Sequence, residues 1–347
     1  MLEYSLTMEE MAKVLGISVA TVSRALNDKP GVGAATRLRV LELAAKENFT
    51  PNSAARGLVT AQTHTVAFLT AHRSVSLAED YFYQRVMLGA QQELARHGYF
   101  LIVTSVDMEQ LDDLASMSLF RGRRSDGVLL AGPEIPARSV LRLQAQGVFI
   151  VLVDNALPLS QVDCVLSEDE LGGYNATRHL LEHGHRQIAI LTGPLKWVSN
   201  EARYLGYRRA MEESGLPLIE FHFEDTTFES GNSAMQHALA LHPELSAVFA
   251  VNDAMAIGAV RAARAAGRRV PQDLAIVGFD DIEAAAQFDP PLTTVKVNKR
   301  QMGVMAARRL MDLMAGEDGV PVRSAVGTQL IIRSSCGCSG PEAPVGD

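Results

Sequence analysis

Between Thr65 and Asp281, seven apolar runs of strand length are interleaved with helical stretches, and this alternation limits the chain more than any other feature. The runs are TVAFLT (65–70), YFLIVTS (99–105), DGVLLAG (126–132), VFIVLVD (148–154), QIAILTG (187–193), SAVFAVND (246–253) and LAIVGFDD (274–281). Helical stretches fall around 82–97, 138–146, 169–183, 200–214, 232–241, 254–266 and 299–315. Strands rich in Val, Ile and Leu that alternate with helices build parallel sheets covered on both faces. About 280 residues of this pattern are more than one core normally holds, so two α/β lobes are expected. Ligands of such sheets sit beyond the carboxyl ends of the strands. Several runs here end in polar or turn residues: Asp154, Gly193, Asn252-Asp253 and Asp280-Asp281.

Residues 1–60 read differently. They hold seven Lys/Arg against six Asp/Glu, a balance of +1 in a chain whose net charge is −8, and they lack strand-like runs. A local module, not the whole chain, would therefore carry any nucleic-acid footprint. Thr7-Met8-Glu9-Glu10 has the pattern of a capping box, and Gly16 suits a left-handed helix end. Ser18 then caps a second short helix, VATVSRAL, which makes a helix-turn-helix. Ala12, Val22 and Leu26 are expected inside, with Val19, Ala20, Thr21, Ser23 and Arg24 outward or partly so. Arg24 suits guanine, and small Val19 and Ala20 suit thymine methyls. A third helix runs from Gly33 to Glu47, with Leu38, Val40, Leu41 and Ala44 as its expected packing face. Spacing alone fits a structural helical bundle equally well.

The segments TMEEMA (7–12), GISVATVSRALN (16–27) and FTPNSAARGL (49–58) resemble the lactose/galactose repressor family. GHRQIA (184–189), FAVND (249–253), VGFDD (277–281) and PPLTTV (290–295) extend the likeness over nearly the whole chain. The resemblance implies an all-α helix-turn-helix headpiece (1–50), a hinge helix or linker (51–61) and a two-lobed α/β core (62–347) with parallel sheets. By the same resemblance that core would be of the periplasmic-binding-protein type I. Its first lobe is expected at about 62–158 and 291–322, its second at about 159–290 and 323–338, with a tail at 339–347. DNA contacts are implied for Thr7, Ser18, Val19, Ala20, Thr21, Ser23, Arg24, Asn27, Thr36, Asn52, Ala55, Arg56 and Leu58.

Asn52 can cap a helix too short to be stable alone, so the hinge is expected to fold when two copies pair against DNA. By the family resemblance, Leu58 would then wedge into the minor groove. A departure from the family pattern is Gly33, where a polar cap is usual. One headpiece reads a half-site, so a homodimer on a palindromic operator is expected. Nothing near the C-terminus resembles the leucine heptads of tetrameric members.

Positions matching the family's effector site are Arg203, within SNEAR (199–203), Asn252 and Asp280; Ser199 accompanies them. Tyr81 and Phe82 fall where members place apolar or aromatic contacts, Trp197 and Phe228 are further stacking candidates, and Asp154 and Glu168 complete a polar lining. Asp281 reads as a helix cap. Carboxylate, amide and guanidinium groups beside aromatic faces suit a mono- or disaccharide. The implied function is a DNA-binding transcriptional regulator, a repressor of carbohydrate utilisation whose operator affinity answers to that sugar. Rival readings are a transport solute-binding protein, or a regulator answering to a purine or a protein partner.

Other signals point away from catalysis and cofactors. His179 and His183 have i, i+4 spacing, but no third-ligand motif accompanies them. Cys336-Gly337-Cys338 is not C-x-x-C, and Gly31-Val32-Gly33 lacks both a preceding strand and a third glycine. No nucleophile elbow or P-loop is present, so the chain reads as non-enzymatic, with no cofactor and no metal. Three cysteines, no bilayer-length apolar run and an acidic start fit a cytoplasmic protein.

Overall fold

The computed structural model describes residues 6–26, 28–47, 49, 62–72, 80–107, 109–122, 124–133, 135–158, 161–316 and 319–338. The expectations for Asn27, the hinge residues Asn52, Ala55, Arg56 and Leu58, and the tail lie outside them. The chain divides between His64 and Thr65 into two compact units.

In the first unit, helix Met8–Leu15 begins with the expected capping box. The Glu10 amide donates to Thr7 Oγ1 at 3.2 Å and the Thr7 amide donates to Glu10 Oε2 at 2.7 Å. Gly16, at φ 67°, closes the helix in the left-handed region, where glycine carries no Cβ penalty. Helix Val19–Leu26 starts from Ser18, whose Oγ accepts the Thr21 amide at 3.1 Å. Helix Ala34–Lys46 starts at Gly33 without a side-chain cap. Met11, Ala12, Val22, Ala25, Val40 and Ala44 form the small core.

One expectation holds in part and another fails. Leu26 packs half-buried against this core, and its neighbour Ala25 is buried more completely. On the third helix Leu38 and Leu41 are 58% and 45% exposed. Val40 and Ala44, one turn apart, face inward, and Leu38 and Leu41 lie off that stripe.

The second unit holds strands β1 Thr65–His72, β2 Phe100–Asp107, β3 Gly127–Ala131, β4 Phe149–Val153, β5 Asp163–Ser167 and β6 Ile188–Thr192. They continue with β7 Ile219–His222, β8 Ala247–Ala250, β9 Ala275–Asp280, β10 Thr293–Val297, β11 Arg323–Val326 and β12 Thr328–Ile331. Two six-stranded sheets result, ordered β11-β5-β4-β3-β1-β2 and β12-β10-β9-β8-β6-β7. Every pairing is parallel except β10 with β12. Strands β3, β5 and β6 are buried along their length, as sheets covered on both faces require.

Three helix pairs approach so closely that a Cβ would enter the facing backbone. Gly89 and Gly303 join helices Tyr81–Arg96 and Lys299–Met314, with added Cβ atoms 2.0 Å from Arg300 O and 1.9 Å from Val86 O. Gly173 and Gly206 do the same for Asp169–Glu182 and Val198–Glu213, at 2.4 Å from Arg203 O and 2.1 Å from Glu170 O. Gly231 and Gly258 repeat it for Phe228–Leu241 and Asp253–Ala265, at 2.2 Å from Met255 O and 2.1 Å from Phe228 O.

The chain passes between the sheets three times: after β5, after β10, and through the single residue Gly327 between β11 and β12. The expected lobe boundaries need correction at these points. Strand β5 (163–167) and strand β11 (323–326) complete the first sheet, and β10 (293–297) belongs to the second. The physical reason is pairing: Leu152 and Val153 of β4 align with Cys164 and Val165, while Thr293 to Lys296 align with Val277 to Asp280. The crossings adjoin. Ser167 pairs with Val326, Val297 pairs with Thr328, and the Glu168 amide donates to Val326 O at 2.9 Å. Among the described residues, no helix is long and apolar enough to cross a membrane.

Candidate ligand cleft and nucleic-acid interface

Arg203 organises the space between the sheets. It projects from helix Val198–Glu213, is 5% exposed, and donates from Nε to Asp169 Oδ1 at 2.8 Å and from Nη1 to Val251 O at 2.6 Å. Its guanidinium lies 3.9 Å from the centre of the Phe279 ring, and Nη2 stands 3.2 Å from Asp280 Oδ1. Burial opposes the charge, but Asp169, Asp280 and Asp154 hold the guanidinium protonated.

The carboxyls carry the opposite strain. Asp154 and Asp280 sit at strand ends with φ of 55° and 102°, a region that side chains other than glycine rarely occupy. Such backbone conformations cluster at ligand sites. Burial first, then the Asp169 charge, pushes Asp154 to about 7 despite Arg203. Burial likewise pushes Asp280 to about 6 against the pull of Arg203 and Lys299. Tyr83 donates its hydroxyl to Asp154 Oδ2 at 2.7 Å. Asp154 Oδ1 and Asp280 Oδ1 are buried and accept no hydrogen bond among the described residues. Arg203 is near Asp280 Oδ1 as a charge, without the alignment of a hydrogen bond. A bound molecule that donates hydroxyl protons would satisfy both oxygens.

The remaining expected residues distribute as follows. Phe82 is half-buried, with Lys299 Nζ 5.9 Å from its ring centre; Tyr81 is 56% exposed. Trp197 joins Pro133, Ile135, Asn155, Leu157 and Lys196 around an opening of about 360 Å3, and Ser199 is buried outside that lining. Asn252 caps helix Asp253–Ala265, its Oδ1 accepting the Met255 amide at 2.8 Å and its Nδ2 donating to Thr226 O at 3.0 Å. Both ends of that amide are thus engaged in scaffold.

Two lining candidates fall elsewhere. Glu168 is exposed and sits at the lobe crossing beside Gly327; the buried acid there is its neighbour Asp169, which accepts from Ser167 Oγ at 2.8 Å. Phe228 lies against Arg261, 5.6 Å from its ring centre, where the helix pair 228–241 and 253–265 meets. Asp281 is not a helix cap: it pairs with Arg333 at 2.6 Å, and Asp253 Oδ2 accepts the Ile282 amide at 2.8 Å instead. Burial pushes Asp253 to about 8.

The site also contains residues that sequence reading missed. Tyr83 stands one residue beyond the expected Tyr81-Phe82 pair, and helical direction decides which ring reaches Asp154. Asp169 follows Glu168 in the same acidic run. Lys299, donating to the backbone oxygens of Asp280 and Asp281, had no local signal.

In the first unit, Ser18, Val19, Ala20 and Arg24 are exposed along one side of the second helix, with Thr21 and Ser23 partly so. Arg24 is exposed and makes no ion pair among the described residues. Thr7 is exposed and Thr36 half-buried at their helix starts. Arg37, by contrast, is held by Asp28 and by Lys29 O.

Residues 7–52 match the family model of bacterial regulatory proteins, lacI family, and residues 177–336 match a periplasmic binding protein-like domain. The HTH-type transcriptional regulator CelR of Thermobifida fusca is 36% identical over 337 residues, spanning 95% of this chain and 98% of that protein. The chain belongs to the LacI family. The ribose operon repressor of Escherichia coli K12 is another LacI-type relative, 34% identical over 86% of this chain and 90% of its own length. A lac repressor dimer bound to operator and the anti-inducer ONPF superposes with a TM-score of 0.81 at 27% identity, covering 95% of this chain and 98% of that one. A CelR–cellobiose complex superposes with a TM-score of 0.71 at 33% identity, covering 95% and 99%. The protein is accordingly a LacI-family DNA-binding transcriptional regulator, with a helix-turn-helix headpiece and a two-lobed α/β core.

Proposed function

We propose that this LacI-family regulator represses a carbohydrate-utilisation operon in the cytoplasm. It binds a palindromic operator as a homodimer, and a neutral sugar between the lobes changes that affinity. The observation that carries the sugar is the pair of buried acceptor oxygens, Asp154 Oδ1 and Asp280 Oδ1, flanking Arg203. Vicinal hydroxyls donate to carboxylates and accept from a guanidinium. Three carboxyls (Asp154, Asp169, Asp280) against Arg203 and Lys299 favour a neutral ligand over a phosphorylated or acidic sugar. The Trp197 opening offers an apolar face to a second ring, and the kinship with a cellobiose-bound regulator supports a disaccharide.

DNA contacts are assigned to the exposed side of the second helix, with Arg24 reading a base edge and Ser18, Val19 and Ala20 fitting beside it. Thr7, Thr21, Ser23 and Thr36 position the headpiece on phosphates. A ligand shifts operator affinity only if it prefers one lobe arrangement. The headpiece disfavours a transport role. The deciding experiment is a thermal-shift screen of the full chain with mono- and disaccharides and with purines, repeated as operator binding with each hit. A disaccharide should raise the melting temperature and change operator affinity. A screen in which only purines raise it would overturn the sugar reading.

A further inference from the structure

We propose that His179, Cys336 and Cys338 form a zinc site that fastens the last described turn of the chain to the helix Asp169–Glu182. Their three ligand atoms lie within 4.8 Å of one another, and Cys338 Sγ is 3.4 Å from His179 Nε2. Tetrahedral zinc with bonds of about 2.3 Å to sulfur and 2.0–2.1 Å to nitrogen places such atoms roughly 3.5–3.8 Å apart. Small side-chain adjustments close the difference.

The surroundings are prearranged. Gly337, at φ 78°, turns the chain so that thiols one residue apart approach the same imidazole. Ser335 anchors the turn by donating from Oγ to Ile276 O at 2.6 Å and accepting the Thr293 amide at 2.8 Å. Thr293 Oγ1 stands 3.1 Å from Cys336 Sγ and 3.0 Å from Arg333 O, so its one proton can turn from the carbonyl to a thiolate. His179 occupies the last turn of its helix, where the dipole favours a cation.

Two soft thiolates and an imidazole select zinc over hard cations such as magnesium. Three protein ligands leave one position for water. Cys338 is only partly buried, which gives an entry path. Zinc replaces both thiol protons and releases them to solvent.

The test uses the reduced full-length protein, incubated with Zn2+ under anaerobic conditions, desalted and assayed for metal. One zinc per chain should remain, and Co2+ in its place should give thiolate-to-cobalt charge-transfer absorption. Cys338→Ser and His179→Ala should lose both signals while keeping the wild-type circular dichroism spectrum. Cys164→Ser, in the first sheet, should keep them. The melting temperature should rise with Zn2+ in the wild type and not in Cys338→Ser. Zinc retained equally by the Cys338 and His179 variants, no zinc in the wild type, or retention of Cu(I) but not Zn2+ would each overturn the assignment. Saccharide binding is read separately, so failure here leaves the sugar reading untouched.

Discussion

Replacing Asp280 with Asn should separate ligand recognition from stability. Burial is the main cause holding this carboxyl at about 6 rather than 3.8, with Arg203 and Lys299 pulling the other way. That rise corresponds to roughly 3 kcal/mol by which the ionised form disfavours the folded state. Between pH 4 and 6 the native protein keeps a proton that the unfolded chain has released. Stability therefore falls as pH rises through this window, and the penalty is complete above about 6. Asparagine keeps the volume and abolishes the titration. Arg203 retains Asp169 at 2.8 Å and Val251 O at 2.6 Å, so it is not stranded. Asp280→Asn is thus expected to melt no lower than wild type at pH 8, with a flatter profile from pH 4 to 7. Sugar affinity should move the other way, because losing a charged acceptor removes about 1.5–3 kcal/mol, or roughly 10- to 150-fold in Kd. Scanning fluorimetry across pH and calorimetric titration with the saccharide found by screening read the two effects. A variant that melts well below wild type at pH 8 yet binds sugar unchanged would refute the reasoning and make Asp280 a scaffold partner of Arg203.

Arg203→Met leaves Asp154, Asp169 and Asp280 without their guanidinium and should cost about 3–5 kcal/mol in denaturant unfolding at pH 8. The loss should shrink at pH 5, where Asp154 and Asp280 are protonated. Arg24→Ala, at an exposed position, should weaken operator binding by about 1–3 kcal/mol in fluorescence anisotropy and leave the circular dichroism spectrum unchanged. Gly206→Ala puts a methyl 2.1 Å from Glu170 O, so the helix pair must separate; the expected destabilisation is about 1–3 kcal/mol. Sugar affinity should increase from pH 5 to 8 as Asp154, held at about 7, ionises into a stronger acceptor.

The periodic features were legible: the strand runs ending at Asp154, Asn252-Asp253 and Asp280-Asp281, the Thr7 capping box and the outward face of the second helix. Short strands at crossings were not. DCVLS, TTVKV and RSAV are four or five residues long, and only their pairing partners decide which sheet they join. The same non-locality hid Lys299, which reaches strand β9 from the helix that covers the other lobe. Neighbouring residues misled where burial alternates, as with Glu168 for Asp169 and Tyr81 for Tyr83. The histidines were legible only in part. Spacing sets His179 beside His183, and their ring centres are 4.4 Å apart, while only the fold brings His179 against Cys338, far away in sequence.

The three passages between sheets lie side by side, with Ser167 laddered to Val326 and Val297 to Thr328, and Gly327 alone bridging the last. A body fastened at one narrow strip can swivel about it but cannot slide. Displacement between the two halves therefore grows with distance from that strip, and a molecule gripped near Arg203 acts on a lever whose fulcrum is already fixed by backbone hydrogen bonds.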